Sequence, residues 1–249
     1  TGSTGDGWRL ASDVGHKITP ILPSLVPLTT NTPWVKSLSG LSLRNINATL
    51  VCGNRRQEQF GELLFTHFGF SGPTALTLSR WAARWLAEGN PVTLSIDLKP
   101  ALDTEQLDQR LLRDIGKYSR KQAKNGFADL LPQALIEPVL ALAQIDPNLV
   151  MHQITKAQRR EVAAVLKGLT VDISGTLPMA AAIVTQGGVA LDGVDPKTMA
   201  SRQIQGLYFC GEVLDIDGFT GGFNLQAAFA SGAAAGRGAA QATVQKERK

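Results

Sequence analysis

The chain has 249 residues, and its apolar content of 43% is enough to bury one large core or two smaller ones. The longest run of small and apolar residues, 227–235, is too short to cross a bilayer, and no charged-then-apolar signal opens the sequence, so we expect no membrane residence. A net charge of +4 permits an acidic partner without requiring one, because steering depends on how charges cluster.

Two cysteines, Cys52 and Cys210, lie far apart in sequence and in apolar surroundings. They predict reduced thiols in a cytoplasmic protein rather than a disulfide. The sequence contains no CxxC, which argues against a dithiol relay. No spacing among histidines, cysteines and carboxylates resembles a metal site.

The first predicted element is a short helix over 6–14, with Thr4 or Asp6 as its N-cap and Gly15 as its C-terminal stop. The glycine-rich approach to it, TGSTGDG at 1–7, suits close contact with a ligand. Taken alone, this block is better explained as a turn followed by a capped helix.

The region from 28 to 100 has mostly the pattern of strands, and prolines at 20, 23 and 27 separate it from the first helix. Alternation predicts strands at 41–51, 57–65 and 92–98. Apolar residues at helical spacing predict one helix over 75–87. Several short strands with a single helix favour a small barrel or sandwich.

Between 103 and 169 the period becomes helical. Helices are predicted from Thr104 to about Lys121, over 131–142, and over 155–166 with Thr155 as the N-cap. Strands at 170–173 and 178–184 then lead the chain out of this helical piece.

The most distinctive stretch lies near the end of the chain. The apolar run 207–210 predicts a parallel strand covered on both faces, and Glu212 follows it where open α/β sheets bind ligands. Two glycines, Gly221 and Gly222, precede a predicted helix over 224–236. A helix start without side-chain bulk exposes N–H donors, which suits a phosphate or an electron-rich ring carbonyl, although such glycines also occur in simple tight turns.

This stretch, GLYFCGEVLDIDGFTGGFNLQAAFASGAAAG at 206–236, resembles the C-terminal signature of the BaiN/RdsA-type FAD-dependent oxidoreductases. Further blocks match in family order: TGSTGDG at 1–7, FTHFGFSGP at 65–73, and VTQGGV at 184–189 followed by DPKTM at 195–199. The blocks extend across nearly the whole chain, so the resemblance is specific.

The resemblance implies an α/β fold class: part of a Rossmann-like FAD-binding domain with an inserted β-barrel-like and helical-bundle domain. The FAD-binding part would be 1–27 with 184–249, the barrel 28–100 with 168–183, and the helical subdomain 101–167. The GxGxxG turn with which the family begins does not occur here. We therefore expect a C-terminal part of a longer protein, lacking about 150 residues and inactive by itself. Whether this part holds FAD stays open.

The family also implies which residues contact the flavin. Glu212 would accept hydrogen bonds from ribityl hydroxyls, although many two-domain flavoproteins have Asp at the matching position. The amides at 221–224 would stabilise negative charge on the ring as it is reduced. The expected cofactor-binding residues are Thr185, Gly187, Gly188, Glu212, Asp217, Gly221, Gly222, Phe223 and Asn224.

His67 is the candidate catalytic residue, because reduction of a C=C bond requires a proton as well as a hydride. Most histidines between apolar neighbours are instead buried structural hydrogen-bonders, so both interpretations stay open. His16 and His152 have weaker claims.

The implied activity is transfer of hydride from a flavin, reduced by NAD(P)H, to an unsaturated acceptor. RdsA-type relatives point to uracil in ribosomal RNA, and a small enone-like molecule is the other candidate. A row of basic residues would suit RNA phosphates: Arg110, Arg113, Lys117, Arg120, Lys121 and Lys124. Such rows are more often solvated helix faces. The alternative from a different class is a non-catalytic RNA-binding module that uses this face.

Overall fold

The computed structural model describes residues 3–247. The described residues form two compact units, which we call the flanking unit (3–27 with 176–247) and the central unit (28–175). In chain order the elements are α1 (Asp6–Asp13), β1 (Leu22–Ser24), β2 (Leu28–Thr29), α2 (Pro33–Ser37), β3 (Ser42–Cys52), β4 (Arg55–Thr66), β5 (Gly69–Ser71), α3 (Gly72–Ala87), β6 (Val92–Asp97), α4 (Thr104–Lys117), α5 (Ala123–Gly126), α6 (Gln133–Leu142), α7 (Lys156–Lys167), β7 (Leu169–Ile173), β8 (Gly175–Thr176), β9 (Val184–Gln186) and α8 (Phe223–Glu247).

The strands of the central unit form one curled sheet with the order β7-β6-β3-β4-β5-β2-β8. The strands at its two ends, β7 and β8, are separated in sequence by Ser174 alone, so the sheet must curl back on itself. The Thr30 hydroxyl, just after β2, donates to the carbonyl of Asp172 in β7 at 2.6 Å and ties the two ends together. The mixed α/β class and the barrel-like insert predicted from the sequence are confirmed.

Alternation fixes the faces of these strands. Every second residue of β6 is buried, and Leu94 lies opposite Leu50 of β3 on one side and Val171 of β7 on the other. Helix α3 covers the sheet with Leu78, Ala82 and Trp85, which share one helical face. The three long strands and this helix confirm the sequence prediction to within about three residues at each end.

The helical piece consists of α4 to α7. Asp103 and Thr155 each cap the following helix through a capping box, so the predicted N-cap at Thr155 is confirmed. The prediction that the first helix continues to about Lys121 is wrong, because α4 ends at Lys117. The backbone at 121–123 instead pairs with 149–151, which draws the chain out of the helix.

The flanking unit has little regular sheet. Strands β1 and β9 pair with each other antiparallel. The predicted covered strand at 207–210 is wrong: among the described residues this segment forms one antiparallel bridge, Tyr208 to Ala200, with Phe209 buried and Cys210 exposed. A covered parallel strand needs partners along both edges, whereas the described backbone bonds of this run to another segment go to 199–201 around that single antiparallel bridge.

Two further segments of the flanking unit differ from their predicted structure. The predicted strand at 178–184 is wrong apart from Val184, where β9 begins; Met179–Ala181 forms a 3-10 turn in which the Ala181 amide donates to the carbonyl of Pro178. The N-cap of α1 is Gly5 in a left-handed conformation, with φ of 81°, rather than Thr4 or Asp6. The Thr4 hydroxyl donates to the Asp6 carboxylate instead of capping the helix.

None of the helices within 3–247 combines the length and apolar character that a bilayer crossing requires. Both cysteines are free thiols, with Cys52 buried and Cys210 exposed.

Candidate functional site

A cavity of about 480 Å³ lies within the flanking unit. It is lined by residues 3–5, 182–185, Gly7, Trp8, Met179, Glu212 and Val213. Its volume falls in the range of small-molecule sites, roughly 300–1,000 Å³. The cavity brings together three of the blocks singled out in the sequence: the N-terminal glycine block, Thr185 and Glu212.

Helix α1 forms one wall of this cavity. The Trp8 indole Nε1 donates to the carbonyl of Val213 at 3.1 Å. Gly7 lies so close to the same residue that an added Cβ would stand 3.1 Å from the Val213 Cγ2 atom. The glycine block therefore allows α1 to approach the 211–213 turn. Thr1 and Gly2, the first residues of that block, lie outside the described residues.

Glu212 lies in the 3-10 turn Gly211–Val213 and is exposed at the edge of the cavity. The turn is anchored on α8, because the Gly211 amide donates to the Ser231 hydroxyl at 3.0 Å. Within residues 3–247, the Glu212 carboxylate has neither a hydrogen-bond donor nor a cation as partner. It is therefore available to accept hydrogen bonds from a ligand.

The two glycines that follow Gln186 allow close contact between segments of the protein's own backbone. Gly187 has φ of 87°, and a Cβ there would stand 2.1 Å from the Pro20 carbonyl oxygen. A Cβ at Gly188 would stand 2.6 Å from the carbonyl oxygen of Val213. Neither residue is among those that line the cavity, whereas Thr185 is. Flavin contact by the two glycines stays a prediction.

The start of α8 has a different surrounding. Gly221 and Gly222 have φ of 103° and 91°, a conformation that favours glycine. A Cβ on Gly222 would meet nothing within 4 Å, and one on Gly221 would meet only the Phe223 ring at 3.8 Å. The first amides of a helix have no acceptor within it. The N-terminal end of α8 thus has open space at its glycines, as a ring or phosphate site requires.

Two other predicted cofactor residues are engaged within the loop before α8. The Asn224 side chain accepts from the Gly218 amide at 2.7 Å and donates to the Gly218 carbonyl at 3.1 Å. The Asp217 carboxylate accepts from the buried Ser24 hydroxyl at 2.9 Å. Both side chains hold the loop in shape. Phe223 is exposed, with 62% of its surface accessible.

Part of the cavity wall is apolar and was not predicted from the sequence. Trp8, Met179, Ile183 and Val213 line it together with the predicted polar residues. Trp8 directly follows the glycine block and could have been found there. Val213 directly follows Glu212 and could have been found in the same way. Met179 and Ile183 could not, because 178–184 was predicted as a strand with no assigned role.

His67 does not line this cavity. It is exposed in the turn between β4 and β5 of the central unit, and its ring lies against Phe68 with 4.9 Å between centroids. The two weaker candidates have structural partners. His16 is buried, with Nε2 2.8 Å from the Ser201 hydroxyl, and His152 Nδ1 lies 2.9 Å from the carbonyl of Ser119.

The predicted basic row is not a uniform cationic face. Arg110 donates to Asp114 through Nε at 2.9 Å, Lys117 binds Asp129 at 2.7 Å, and Lys124 donates to the Asn148 side chain. The hydrogen bond from Lys117, followed by that from Tyr118, lowers the pKa of Asp129, and Asp129 raises the pKa of Lys117 in turn.

The other half of the row remains accessible. Arg113 and Arg120 are exposed and form no ion pair with any residue that the structure describes. The Lys121 ammonium lies 4.3 Å from the centre of the Tyr118 ring. Across 3–247 there is no group of three or more histidine, cysteine or carboxylate side chains that could hold a metal ion.

Comparison with known proteins adds two findings. A family described as "HI0933-like protein barrel and H2TH domain" matches residues 22–184. The chain is also 32% identical over 240 residues to a 3-dehydro-bile acid delta(4,6)-reductase of Clostridium scindens, covering 96% of this chain and 59% of that protein.

Two further relatives carry another name. A ribosomal RNA dihydrouridine synthase of Escherichia coli is 33% identical over 231 residues, covering 92% of this chain and 55% of that protein. The Haemophilus influenzae protein of the same name is 32% identical over 232 residues, covering 92% and 54%. The chain thus spans just over half the length of the curated relatives it matches.

Proposed function

Since the chain belongs to the HI0933-like family, the FAD-dependent oxidoreductases that its motifs resemble, we propose that it forms part of an enzyme that reduces an unsaturated acceptor at the expense of NAD(P)H. The observation that carries the proposal is the open corner at Gly221 and Gly222, at the start of α8. Those glycines have no packing neighbour that explains them, in contrast to Gly187 and Gly188.

The side chains and amides of the flanking unit fit a flavin. The unpaired carboxylate of Glu212 would accept from ribityl hydroxyls, and the amides at the start of α8 would stabilise negative charge at the pyrimidine end of the ring. Thr185 and the apolar wall of Trp8 and Val213 would exclude water from the same cavity. When bound, a reduced flavin supplies the hydride for the reaction.

The acceptor is a separate part of the proposal. The names of the relatives support two classes, a steroid-like small molecule and uracil in ribosomal RNA, and both present a C=C bond conjugated to a carbonyl. Reduction of either requires a proton donor besides the hydride, and His67 remains our proposal for it. Arg113, Arg120 and Lys121 are the residues of the basic row that remain available for RNA phosphates.

The alternative of a non-catalytic RNA-binding module has less support. Half of the basic row is committed to contacts within the central unit, and such a module would leave the open glycine corner and the unpaired Glu212 without a role. We therefore propose RNA as a candidate acceptor of the enzyme and do not propose that RNA binding is the protein's main function. A cytoplasmic location belongs to the same proposal.

The test uses the protein in its complete form, including any residues that precede or follow these 249. FAD affinity would be measured by fluorescence for the wild type, Gly222→Ala and Glu212→Gln. We expect FAD binding roughly tenfold to a hundredfold weaker in each variant, because Gly222→Ala adds a methyl group in the open space where the ring would lie and Glu212→Gln replaces a charged acceptor with a neutral one. Reoxidation of the NAD(P)H-reduced protein by a dienone steroid or by unmodified ribosomal RNA would then identify the acceptor.

Gly206→Ala is the matched control for the glycine variant. Gly206 also lies in the flanking unit, has φ of 85° and would meet nothing within 4 Å, but it lies in the turn before Leu207 and not at the start of α8. The same backbone strain should therefore leave FAD affinity unchanged. A complete protein that cannot be reconstituted with FAD, or equal affinities for Gly206→Ala and Gly222→Ala, would rule the proposal out.

A further inference from the structure

The central unit contains a second cavity, of about 300 Å³, between the sheet and the helical piece. Its walls are mostly apolar and come from β3, the end of β6 and the start of α6, among them Leu43, Ile46, Leu98 and Leu135. The polar side chains in its lining are Ser42, Arg44 and Lys99. The lining therefore combines two cations with an apolar wall, and it contains no carboxylate.

Lys99 is half-buried, and the acidic side chain two residues before it pairs with another lysine. Its own amide donates to Asp97, but the Asp97 carboxylate is paired with Lys167 at 2.5 Å. Lys167 also donates to the carbonyls of Lys99 and Leu102. Throughout the described chain, no acceptor stands within hydrogen-bond distance of the Lys99 ammonium. Burial lowers the pKa of Lys99, and the nearby Arg110 lowers it further.

Arg44 reaches the same cavity because of a β-bulge. The pairing of β3 with β4 shifts between Leu43 and Ile46, so that Arg44 and Asn45 together occupy the place of one residue. Asn45 takes a left-handed conformation there, with φ of 54°. Bulges often re-aim a side chain next to a functional site. Arg44 is exposed and forms no ion pair with the described residues.

The half-buried Lys99 ammonium is costly unless an anion joins it, because burial without a partner disfavours a charge. The exposed Arg44 adds a second positive charge to the lining of the same cavity. The start of α6 also borders the cavity through Leu131 and Pro132, and it contributes the positive end of a helix dipole. The Glu62 carboxylate, on the neighbouring strand, accepts from the Ser42 hydroxyl at 2.5 Å and forms no ion pair with either cation in the part of the chain described.

We propose that this cavity binds a small amphipathic anion, with a carboxylate or phosphate monoester head on Lys99 and Arg44 and an apolar body against Leu43, Ile46, Leu98 and Leu135. A volume of about 300 Å³ suits a compact ligand at the small end of the range of known sites. The site shares no residue with the cavity of the flanking unit, so it does not depend on flavin binding.

The test is calorimetric titration of the complete protein with octanoate and octyl phosphate, with 1-octanol as the uncharged match. We expect at least one of the two anions to bind and octanol to give no heat of binding. The anion that binds identifies the head group. Lys99→Met and Arg44→Gln should each weaken binding roughly tenfold to a hundredfold, since each removes a charged hydrogen bond. FAD affinity should not change in either variant.

Lys36→Met is the matched control, because Lys36 is an exposed lysine of α2 in the same unit and does not line the cavity. Lys99→Met should keep or raise the thermal midpoint of the protein, since it removes a half-buried unpaired charge, so loss of binding would not reflect unfolding. Absence of binding by both anions, equal binding of octanol, or unchanged affinity in Lys99→Met would each overturn the proposal.

Discussion

The two units of the molecule are stabilised in different ways. The core of the central unit draws on nearly all its strands and helices, and its largest members, such as Phe65 and Phe70, are fully buried. The core cluster of the flanking unit, within the part of the chain described, consists of Ala11, Val189, Val194, Phe209 and Leu214. Burial therefore determines the geometry of the first unit far more than that of the second.

The flanking unit depends instead on backbone conformations that favour glycine and on side-chain contacts within loops. Gly187 and Gly188 let chain segments touch backbone to backbone, and Asn224 fixes the loop before α8. Helix α8 leaves Leu225 and Phe229 largely exposed. The candidate flavin site thus lies in the unit that has the smaller core among the described residues.

The largest expected effect tests the core of the central unit. Phe65→Ala should cost about 3–5 kcal/mol of unfolding free energy, because the ring packs on Phe70 at 5.1 Å and leaves a cavity when removed. Urea unfolding gives the free energy, and hydrogen exchange shows where protection is lost. Phe60→Ala, in the same strand but 57% exposed, should change stability by less than about 0.5 kcal/mol. Equal costs for the two variants would contradict a core built on Phe65.

A smaller effect tests the backbone contacts of the flanking unit. Gly187→Ala should cost about 3 kcal/mol, since it combines left-handed strain with a Cβ placed 2.1 Å from the Pro20 carbonyl oxygen. Gly206→Ala has the same strain without a neighbour and should cost about 1 kcal/mol. Thermal unfolding of the two variants makes the comparison. If they were equally stable, the close approach would not constrain Gly187.

An effect of about 1 kcal/mol tests the helix caps of the central unit. Thr155→Ala removes the hydroxyl that accepts from the Gln158 amide at 3.2 Å and with it half of the capping box of α7. Thr104→Ala, at the first position of α4, removes no cap and should change stability by less than about 0.5 kcal/mol. The urea midpoints of the two variants should therefore separate, and coinciding midpoints would show that the cap is dispensable.

The sequence predicted the central unit well because its signals are local. Alternation places β3, β4 and β6, and the spacing of Leu78, Ala82 and Trp85 places α3, whatever the rest of the chain does. The point where α4 ends was missed, because it depends on pairing of 121–123 with 149–151, which no local pattern encodes. The closure of the sheet through Thr30 is likewise visible only in three dimensions.

The flanking unit was harder to predict because its structure depends on contacts between segments that are distant in the sequence. The run 207–210 has the composition of a covered strand, yet strand pairing depends on distant segments, and within the described residues this run forms a single antiparallel bridge, Tyr208 to Ala200. Family resemblance pointed to Glu212 and Thr185, and both line the cavity. It could not distinguish glycines that serve backbone packing, such as Gly187, from those that face open space, such as Gly222.

The smallest expected effect concerns pH and the exposed Lys117–Asp129 pair of the central unit. Hydrogen bonds from Lys117 and Tyr118 lower the pKa of Asp129 in the folded state. This pair therefore stabilises the fold above the ordinary aspartate pKa of about 4, and its contribution is lost as the pH falls through the lower folded-state value. The pKa of Lys117 is raised in the folded state. The stability that Lys117 contributes to the pair is therefore lost at alkaline pH, as the pH rises through its folded-state pKa.

Asp129→Asn should accordingly lower the urea midpoint near neutral pH and converge with the wild type in acid, where the wild-type carboxyl is protonated as well. The difference should be small, because both side chains are exposed and the pair is screened by solvent and salt. Glu137→Gln removes an exposed carboxylate of α6 without such a pair and should show no convergence of this kind. A difference that persists unchanged into acid would mean that Asp129 acts through the geometry of its hydrogen bonds, which asparagine fails to reproduce, and not through its charge.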